Sequence, residues 1–292
     1  MDAATVVRQF NRTVTQRIGV LEDDYLSRCR PLSQSRLLWE IGPDGAQIRA
    51  LRARLDLDSG YLSRLLRALE AAGLVVIESD PADRRVRMVR LTEAGRAERT
   101  ELDRRADKLV ADILAPLNER QRDRLTEAMA DVERLLTASM VTVTVTDPRS
   151  VAAQRCLTAY AAELAQRFAH GYDRARTRRV DADDMTLPKG LLLVAVLHGE
   201  PIGCCALRFH GEAPAEIKRM WVTPAARGLG LGRRLIAEVE SHARADGVRV
   251  LHLDTNRVLV EAINLYRSCG YTEVPAFNDE PYAHHWFEKM LE

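Results

Sequence analysis

The sequence predicts two domains in series, a mainly α half and then an α/β half, and three observations carry that expectation. A chain of 292 residues is long enough to bury two cores of ordinary size. Across residues 1–146 apolar positions recur at helical spacing, broken by a single β-hairpin pattern. Residues 147–292 instead alternate short apolar runs of strand character with helical stretches, the pattern of an α/β domain. The boundary is placed near residue 146.

Composition narrows the function classes. The 43 basic residues nearly cancel the 42 acidic ones, leaving a formal net charge of +1, so net charge by itself signals no nucleic acid. The basic side is arginine apart from Lys108, Lys189, Lys218 and Lys289, and arginine supplies a planar five-donor group wherever phosphate must be gripped. No apolar run approaches the roughly 18 residues of a membrane span, and Asp2 stands where a targeting segment would be basic, so a soluble, cytoplasmic protein with no membrane partner is expected. Cys29, Cys156, Cys204, Cys205 and Cys269 form no Cys-x-x-Cys pair and are odd in number, which argues for reduced thiols, no disulfide framework and no metal site.

Taken in order, residues 4–28 show one apolar side, Val6, Val7, Phe10, Val14, Ile18 and Leu21, with Leu26 continuing it or beginning a turn. A second helix opens after Pro31 and stops at Gly42-Pro43; a short third runs roughly from Ala46 to Arg54; a fourth runs from Ser59 to Ala72 and ends at Gly73. In the fourth, Leu62, Leu65, Leu66 and Leu69 fall at i, i+3, i+4 and i+7 and form a core stripe. Its other side carries Ser59, Tyr61, Ser63, Arg64 and Arg67, which reach base edges and phosphates if the helix enters a groove. Two helices joined by the turn at residues 56–58 are a candidate helix-turn-helix.

Leu74 to Ile77 and Val86 to Leu91 then read as a hairpin whose tip region carries Arg84, Arg85 and Arg87. Such a wing suits a narrow minor groove or flanking phosphates; alternatively it is a salt-bridged hairpin beside a solvated helix. The run Ser79-Asp80-Pro81-Ala82-Asp83-Arg84-Arg85, with Leu91-Thr92-Glu93-Ala94-Gly95 behind it, resembles the multiple-antibiotic-resistance regulator (MarR) family of winged helix-turn-helix repressors over about residues 5–138. The resemblance implies binding to double-stranded DNA, Asp83 and Arg85 shaping the wing, and a homodimer. The long helices Thr92 to about Ala111 and Asn118 to Leu136 have too few apolar positions per turn for a private core, which also points to a second subunit. Val141 to Thr146 alternates strictly and is an extended linker or an edge strand shared with the next domain.

In the second half, Ser150 opens an alanine-rich helix through Phe168. The polar stretch 171–184, with Arg174, Arg176, Arg178 and Arg179, reads as solvated surface in preference to a loop at a substrate entrance. Strands follow over Gly190 to Leu197 and Ile202 to Phe209, and a third leads from Pro214 to Val222. A helix is expected over Gly232 to Ala245, a strand over Val248 to Leu253, a helix over Val258 to Cys269, and strands over Tyr271 to Val274 and His285 to Met290.

Between the third strand and its helix lie three alternate glycines, Gly228, Gly230 and Gly232. Strand, glycine turn and helix start make an anion cradle, because converging backbone N–H groups meet no Cβ and the helix terminus adds partial positive charge. A nucleotide-triphosphate loop needs Lys and then Ser or Thr after the last glycine, where this chain has Arg233 and Arg234; a dinucleotide fingerprint needs Gly-x-Gly-x-x-Gly. The stretch resembles the acetyl-CoA motif of the GNAT family of N-acetyltransferases, Gln/Arg-x-x-Gly-x-Gly/Ala, matched by Arg227, Gly230 and Gly232. Asp254-Thr-Asn256, Ala262-Ile-Asn264-Leu-Tyr266 and Cys269-Gly270-Tyr271 extend the resemblance over nearly the whole second half and imply an α/β fold with a mixed central sheet.

That resemblance implies acetyl-CoA held by Met220, Val222, Arg227, Gly228, Leu229, Gly230, Gly232 and Arg233, with Asn256, Asn264 and Tyr266 beside it. Tyr266 would protonate the leaving thiolate and Glu216 would be the base, directly or through water; a backbone N–H at Met220 or Val222 would steady the thioester oxyanion. Acyl transfer would be direct, so Cys204 and Cys205 need no nucleophilic role. Asp279, Tyr282 and His284 would meet the acceptor amine, while Trp286 and Phe287 fill the core. Against these stand plainer readings: Glu216 as a surface ion pair with Lys218 or Arg208, and Tyr266 as packing. Three functions stay open: a small-molecule or amino-acid N-acetyltransferase fused to a transcriptional regulator, a transcription factor whose second half senses acetyl-CoA or an amine, and a protein lysine acetyltransferase recruited to DNA.

Overall fold

The computed structural model describes residues 2–19, 25–27, 30–80, 83–168, 171–173, 176–177, 180–211 and 213–292. Leu21, Cys29, Pro81, Ala82, Arg174, Arg178 and Arg179, named above, lie outside these residues. The chain divides into two compact units, 1–130 and 131–292.

The first unit is mainly α. Helices α1 (Ala3–Arg17), α2 (Leu32–Ile41), α3 (Ile48–Leu55) and α4 (Ser59–Ala71) precede strands β2 (Val75–Ser79) and β3 (Arg87–Leu91), and the long α5 (Glu93–Leu114) and α6 (Glu119–Ser139) follow. Leu62, Leu65, Leu66 and Leu69 of α4 are buried, as their spacing requires, among Leu37, Leu38, Ile41 and Leu51. Thr92 caps α5, its hydroxyl accepting from Gly95 N at 3.0 Å. The expected third helix begins later than its apolar pattern suggests. Ala46–Gln47 forms a two-residue strand, β1, paired antiparallel with Val89 and Met88, so the wing belongs to a three-stranded sheet in the order β1-β3-β2.

The second unit is an α/β domain whose seven-stranded sheet runs β4-β5-β6-β7-β8-β10-β9. The strands are β4 (Thr142–Val145), β5 (Gly190–Leu197), β6 (Glu200–His210), β7 (Ala213–Val222), β8 (Val250–Thr255), β9 (Thr272–Val274) and β10 (His285–Met290). Each neighbouring pair is antiparallel except β7 and β8, so the sheet is mixed. The alternating segment 141–146 thus resolves in favour of a strand: β4 pairs with β5 and places this stretch in the sheet of the second unit. Helix α7 (Val151–Arg167), capped by the Ser150 hydroxyl, covers one face through Cys156 and Leu157 against Leu192, Val194, Cys204 and Ala206. Helix α8 (Leu231–Ala245), through Leu235, Ile236 and Val239, and α9 (Val260–Ser268), through Ile263 and Tyr266, cover the other.

Two irregularities position the site. The β7–β8 ladder pairs Ala215 with Leu251 and Glu216 with His252 and then ends, although β7 runs on to Val222 and β8 to Thr255. The parallel strands part there and leave a gap in the sheet. In addition β7 bulges against β6: Ala206 faces Lys218 and Cys204 faces Trp221, so one extra residue is inserted on β7, where Arg219 takes a left-handed φ of 54°. A bulge of this kind re-aims the side chains that follow it.

Candidate functional site

The gap between β7 and β8 opens into a cavity of about 440 Å³ lined by Met220, Val222, Arg227, Gly228, Gly230, Gly232 and Arg233, with Leu259, Glu261 and Leu265 opposite. Gly228 and Gly230 sit at left-handed φ values of 86° and 74°, and a Cβ at either would project into open space. Helix α8 starts with Gly230 as its N-cap and no side chain accepting there; its first turn closes on Arg234 N donating to Gly230 O. The N–H groups of Leu231, Gly232 and Arg233 precede that bond and face outward, as at any helix start. Gly232 serves packing: a Cβ would meet Leu265 Cδ2 at 2.9 Å. Leu229 is half-buried against the core. An anion the size of a pyrophosphate fits the donors, and the apolar gap above them fits a narrow chain.

Both arginines of the cradle are engaged within the protein. Arg227 donates to both carboxylate oxygens of Glu163, at 2.6 and 2.7 Å, and Arg233 donates to Ser268 O and Oγ. Glu163 is penalised by burial, yet the Arg227 and Trp221 donors hold its carboxyl below the usual range. Arg167 pairs with Glu163 and Glu261, completing a network of two arginines and two glutamates at the cavity.

A second, smaller cavity of about 100 Å³ adjoins the first and shares Tyr160, Leu164, Met220, Leu259 and Ala262 with it. Its own wall includes Tyr172, Arg219, Asp254, Tyr266, Glu280 and Tyr282. Tyr266 is buried and burial raises its pKa well above the ordinary value, so its hydroxyl stays protonated. Phe168, Tyr172 and Tyr282 form an aromatic cluster, with Tyr282 centroids 5.4 Å from each of the other two. Asp254 accepts from Lys218 Nζ at 2.5 Å and from Asn278 Nδ2 at 3.0 Å.

Several expected residues lie elsewhere. Glu216 is buried but lines neither cavity; its Oε2 is 3.2 Å from His210 Nε2 and 3.9 Å from Lys218 Nζ, and Lys218 in turn holds Asp254 on the inner wall. The expected partner Lys218 is therefore real, although the pair is buried and not on the surface. Asn256 lines the inner cavity, where it ties down the acceptor-side loop by donating to Tyr282 O at 2.7 Å. Asn264 is exposed and outside both cavities, because helical spacing turns it away from Ile263 and Tyr266. Asp279 and His284 are likewise exposed, and Glu280, one position on, faces the cavity in place of Asp279. Phe287 is fully buried, while Trp286 is half-buried with Nε1 bonded to Asn278 Oδ1.

The polar stretch after α7 is not simple solvated surface: its described members Tyr172, Thr177 and Val180 line the inner cavity. Residues missed by sequence reasoning are Tyr160, Glu163, Tyr172, Arg219 and Glu280. The first two carry helical spacing that matches core packing, and only the bulge at Arg219 directs it inward. Cys204 and Cys205 are buried free thiols, and burial pushes Cys205 up to about 12, which suits no nucleophile at neutral pH.

In the first unit, Ser59, Tyr61, Ser63, Arg64 and Arg67 are all exposed on α4, and Arg84, Arg85 and Arg87 are exposed on the wing. The Arg64 guanidinium lies 5.7 Å from the Tyr61 ring centroid. Asp83 shapes the wing turn, its Oδ1 accepting from Arg85 N at 3.0 Å.

Comparison with known proteins agrees with both halves. The model of the acetyltransferase (GNAT) family matches residues 157–271 and that of the MarR family residues 30–86. An IAA acetyltransferase of Azospirillum brasilense is 35% identical over 113 residues, 38% of this chain and 72% of that protein. An N-acetyltransferase of Schizosaccharomyces pombe is 38% identical over 99 residues, 33% of this chain and 58% of that protein. An HTH-type transcriptional regulator of Bacillus subtilis is 29% identical over 107 residues, 35% of this chain and 64% of that protein. The chain thus spans between 58% and 72% of the length of these relatives. Fold and site together define an α/β acyltransferase domain behind a winged helix-turn-helix region. The chain belongs to the acetyltransferase (GNAT) family, and its N-terminal region is MarR-like. Acetyl-CoA is the coenzyme that goes with this family, and the glycine cradle below the parted strands fits it.

Proposed function

We propose that this protein transfers an acetyl group from acetyl-CoA directly to the nitrogen of a small-molecule amine, and that its MarR-like half binds double-stranded DNA and couples the enzyme to transcription. The observation that carries the first part is the junction of the two cavities at Tyr160, Met220 and Leu259: a cleft floored by anion donors meets a smaller polar and aromatic pocket. The small size of that pocket favours a small amine over a lysine on a folded protein surface. A transcription factor that only senses its ligand needs no proton donor, and Tyr266, buried and protonated, stands in the wall of the second pocket.

When bound, acetyl-CoA supplies the acyl group as a thioester. The backbone donors of residues 228–233 hold the pyrophosphate, and the bulge at Arg219–Met220 sets backbone N–H groups beside the cleft where oxyanion charge develops. Tyr266 holds a proton at Oη for the departing sulfur. Asp254 faces the acceptor ammonium, and Glu216, which lines neither cavity, acts as base only indirectly, through water, with the Lys218 ammonium between it and Asp254 and paired to both carboxylates.

Free thiol released from acetyl-CoA in the presence of a broad amine panel tests the reading; no release with any acceptor removes it. Tyr266→Phe should lower kcat by about 100-fold with coenzyme affinity unchanged, the usual size of a positioned proton donor. Glu216→Gln should flatten the pH profile of the rate and leave KM for acetyl-CoA unaltered. For the DNA half, retardation of DNA from the region upstream of the coding sequence should weaken steeply with salt. Arg64→Ala and Arg85→Ala should each reduce that salt slope by about one. A homodimer is supported by the exposed Val6, Val7, Phe10, Val110 and Met129, and sedimentation at micromolar concentration tests it.

A further inference from the structure

The side chain of Arg219 has no role in the reading above, yet its placement is unusual. It occupies the bulge of β7 with a left-handed backbone, and its side chain lines the inner cavity. Its Nη1 donates to Tyr172 Oη at 2.9 Å and its guanidinium carbon lies 5.7 Å from the Tyr160 ring centroid. Burial holds the Tyr160 phenol well above its ordinary pKa, so that neighbour is neutral. Among the described residues no carboxylate lies within salt-bridge distance of Arg219, in contrast to Arg167, Arg208 and Arg227 nearby, each of which has one. A half-buried cation with only neutral partners is costly to retain and is complete only with an anion.

The other charges of the cavity set what that anion is. Lys218 is matched by Asp254, so the Arg219 guanidinium is the wall's one cation with no carboxylate partner among the described residues, and Asp254 stands on the same wall. A monoanion that carries its own cation fits this pattern. We infer that the acceptor is a small amine bearing a carboxylate, an amino acid in chemical class, with Arg219 gripping the carboxylate and Asp254 facing the ammonium. A planar guanidinium fork pairs with a carboxylate through two parallel hydrogen bonds. The cavity, of about 100 Å³, is of a size for such a head group.

This inference rests on the acetyltransferase reading for its activity assay but not for its binding assay. Amino acids are compared with the amines made by removing their carboxylate, such as phenylalanine with phenethylamine, on the full-length protein with acetyl-CoA. The acid should be preferred in kcat/KM by about 100-fold, the discrimination one charge-assisted bidentate contact supplies. Arg219→Gln should bring that ratio to near unity through KM for the acid, and Arg219→Lys should restore part of it. Equal use of acid and amine by the wild type, or a ratio that survives in Arg219→Gln, overturns the assignment while leaving acetyl transfer intact. If no compound is turned over, calorimetric titration of the same pairs in the presence of coenzyme A decides instead. Acids bound about tenfold or more tighter than amines by the wild type alone, as an ion-paired contact requires, uphold the assignment, and equal or absent binding ends it.

Discussion

Helices α4 and α8 are the two elements to which the proposed function gives a ligand, nucleic acid for one and a coenzyme for the other, and their N-termini are built in opposite ways. At α4 the Asp58 carboxylate accepts from Gly60 N at 2.9 Å and Tyr61 N at 3.0 Å, so the first-turn donors are already satisfied. At α8 the cap position is Gly230, with no side chain to accept. Both helices share a core stripe and a polar outer side, and what separates them is whether the chain supplies its own anion. Withholding a cap leaves the partial positive charge and the free N–H groups for a ligand. In the proposed function the winged helix places side chains instead, so its terminus is closed and specificity is assigned to Tyr61, Ser63, Arg64 and Arg67.

The comparison is broken most directly by giving α8 an anion of its own. Gly230→Asp puts a carboxylate at the mouth of the cradle, and coenzyme A affinity should fall by about 100-fold, from like-charge repulsion added to occupied donors. Gly230→Ala is the control, since its methyl meets nothing within 4 Å and carries only the strain of a left-handed φ, a cost of about 1 kcal/mol in stability. Calorimetric titration with coenzyme A separates the two. Equal affinities for both variants and the wild type would remove the cradle from the site.

Gly232→Ala sharpens the same contrast with a smaller effect. Its backbone is not left-handed, and the added Cβ would press on Leu265 Cδ2 at 2.9 Å and Met220 Cε at 3.4 Å, the far ends of flexible side chains. Overpacking of that kind should cost about 1 kcal/mol of stability in a thermal melt. Coenzyme affinity should change little. A loss of affinity as large as that of Gly230→Asp would instead make Gly232 a direct contact.

What the chain disclosed in advance follows the same line between local and non-local causes. The glycine turn at 228–232, the Leu62 to Leu69 stripe, the helix starts at Thr92 and Ser150 and the strands at Gly190 and His285 depend on residues close in sequence, and they stand where their patterns put them. Arg219 was invisible because alternation on β7 assigns faces correctly only up to Lys218; the inserted residue beyond it depends on pairing with β6. Glu280 was missed by one position for a related reason, since the loop is registered by Asn256 gripping Tyr282 O and His284 N donating to Thr255 O. The strand at Ala46–Gln47 owes its existence to Val89 and Met88, more than forty positions away. The part of the acceptor pocket supplied by α7 was read as core because Tyr160 and Leu164 do lie at core spacing, and the cavity they line exists only once β7 and β8 part.

The smallest effect lies at the closed terminus. The backbone donors of Tyr61 and Gly60 hold the Asp58 carboxyl below its usual range, so the charged form favours the folded helix. A depressed carboxyl contributes stability at pH above the ordinary aspartate range, and that contribution is lost as pH falls through the folded value. Asp58→Ala should therefore lower the melting temperature of the winged-helix transition by a few degrees at pH 7 and by less at an acid pH below the folded value, where the wild-type carboxyl is protonated too. The same substitution removes one negative charge beside Arg64 and uncovers two N–H groups at a helix start, so low-salt retention of DNA should rise slightly while stability falls. Melts at the two pH values and gel retardation at low salt measure the two effects separately. A fall in both would mean that Asp58 shapes the reading surface itself, and the contrast between a closed α4 and an open α8 would lose its meaning.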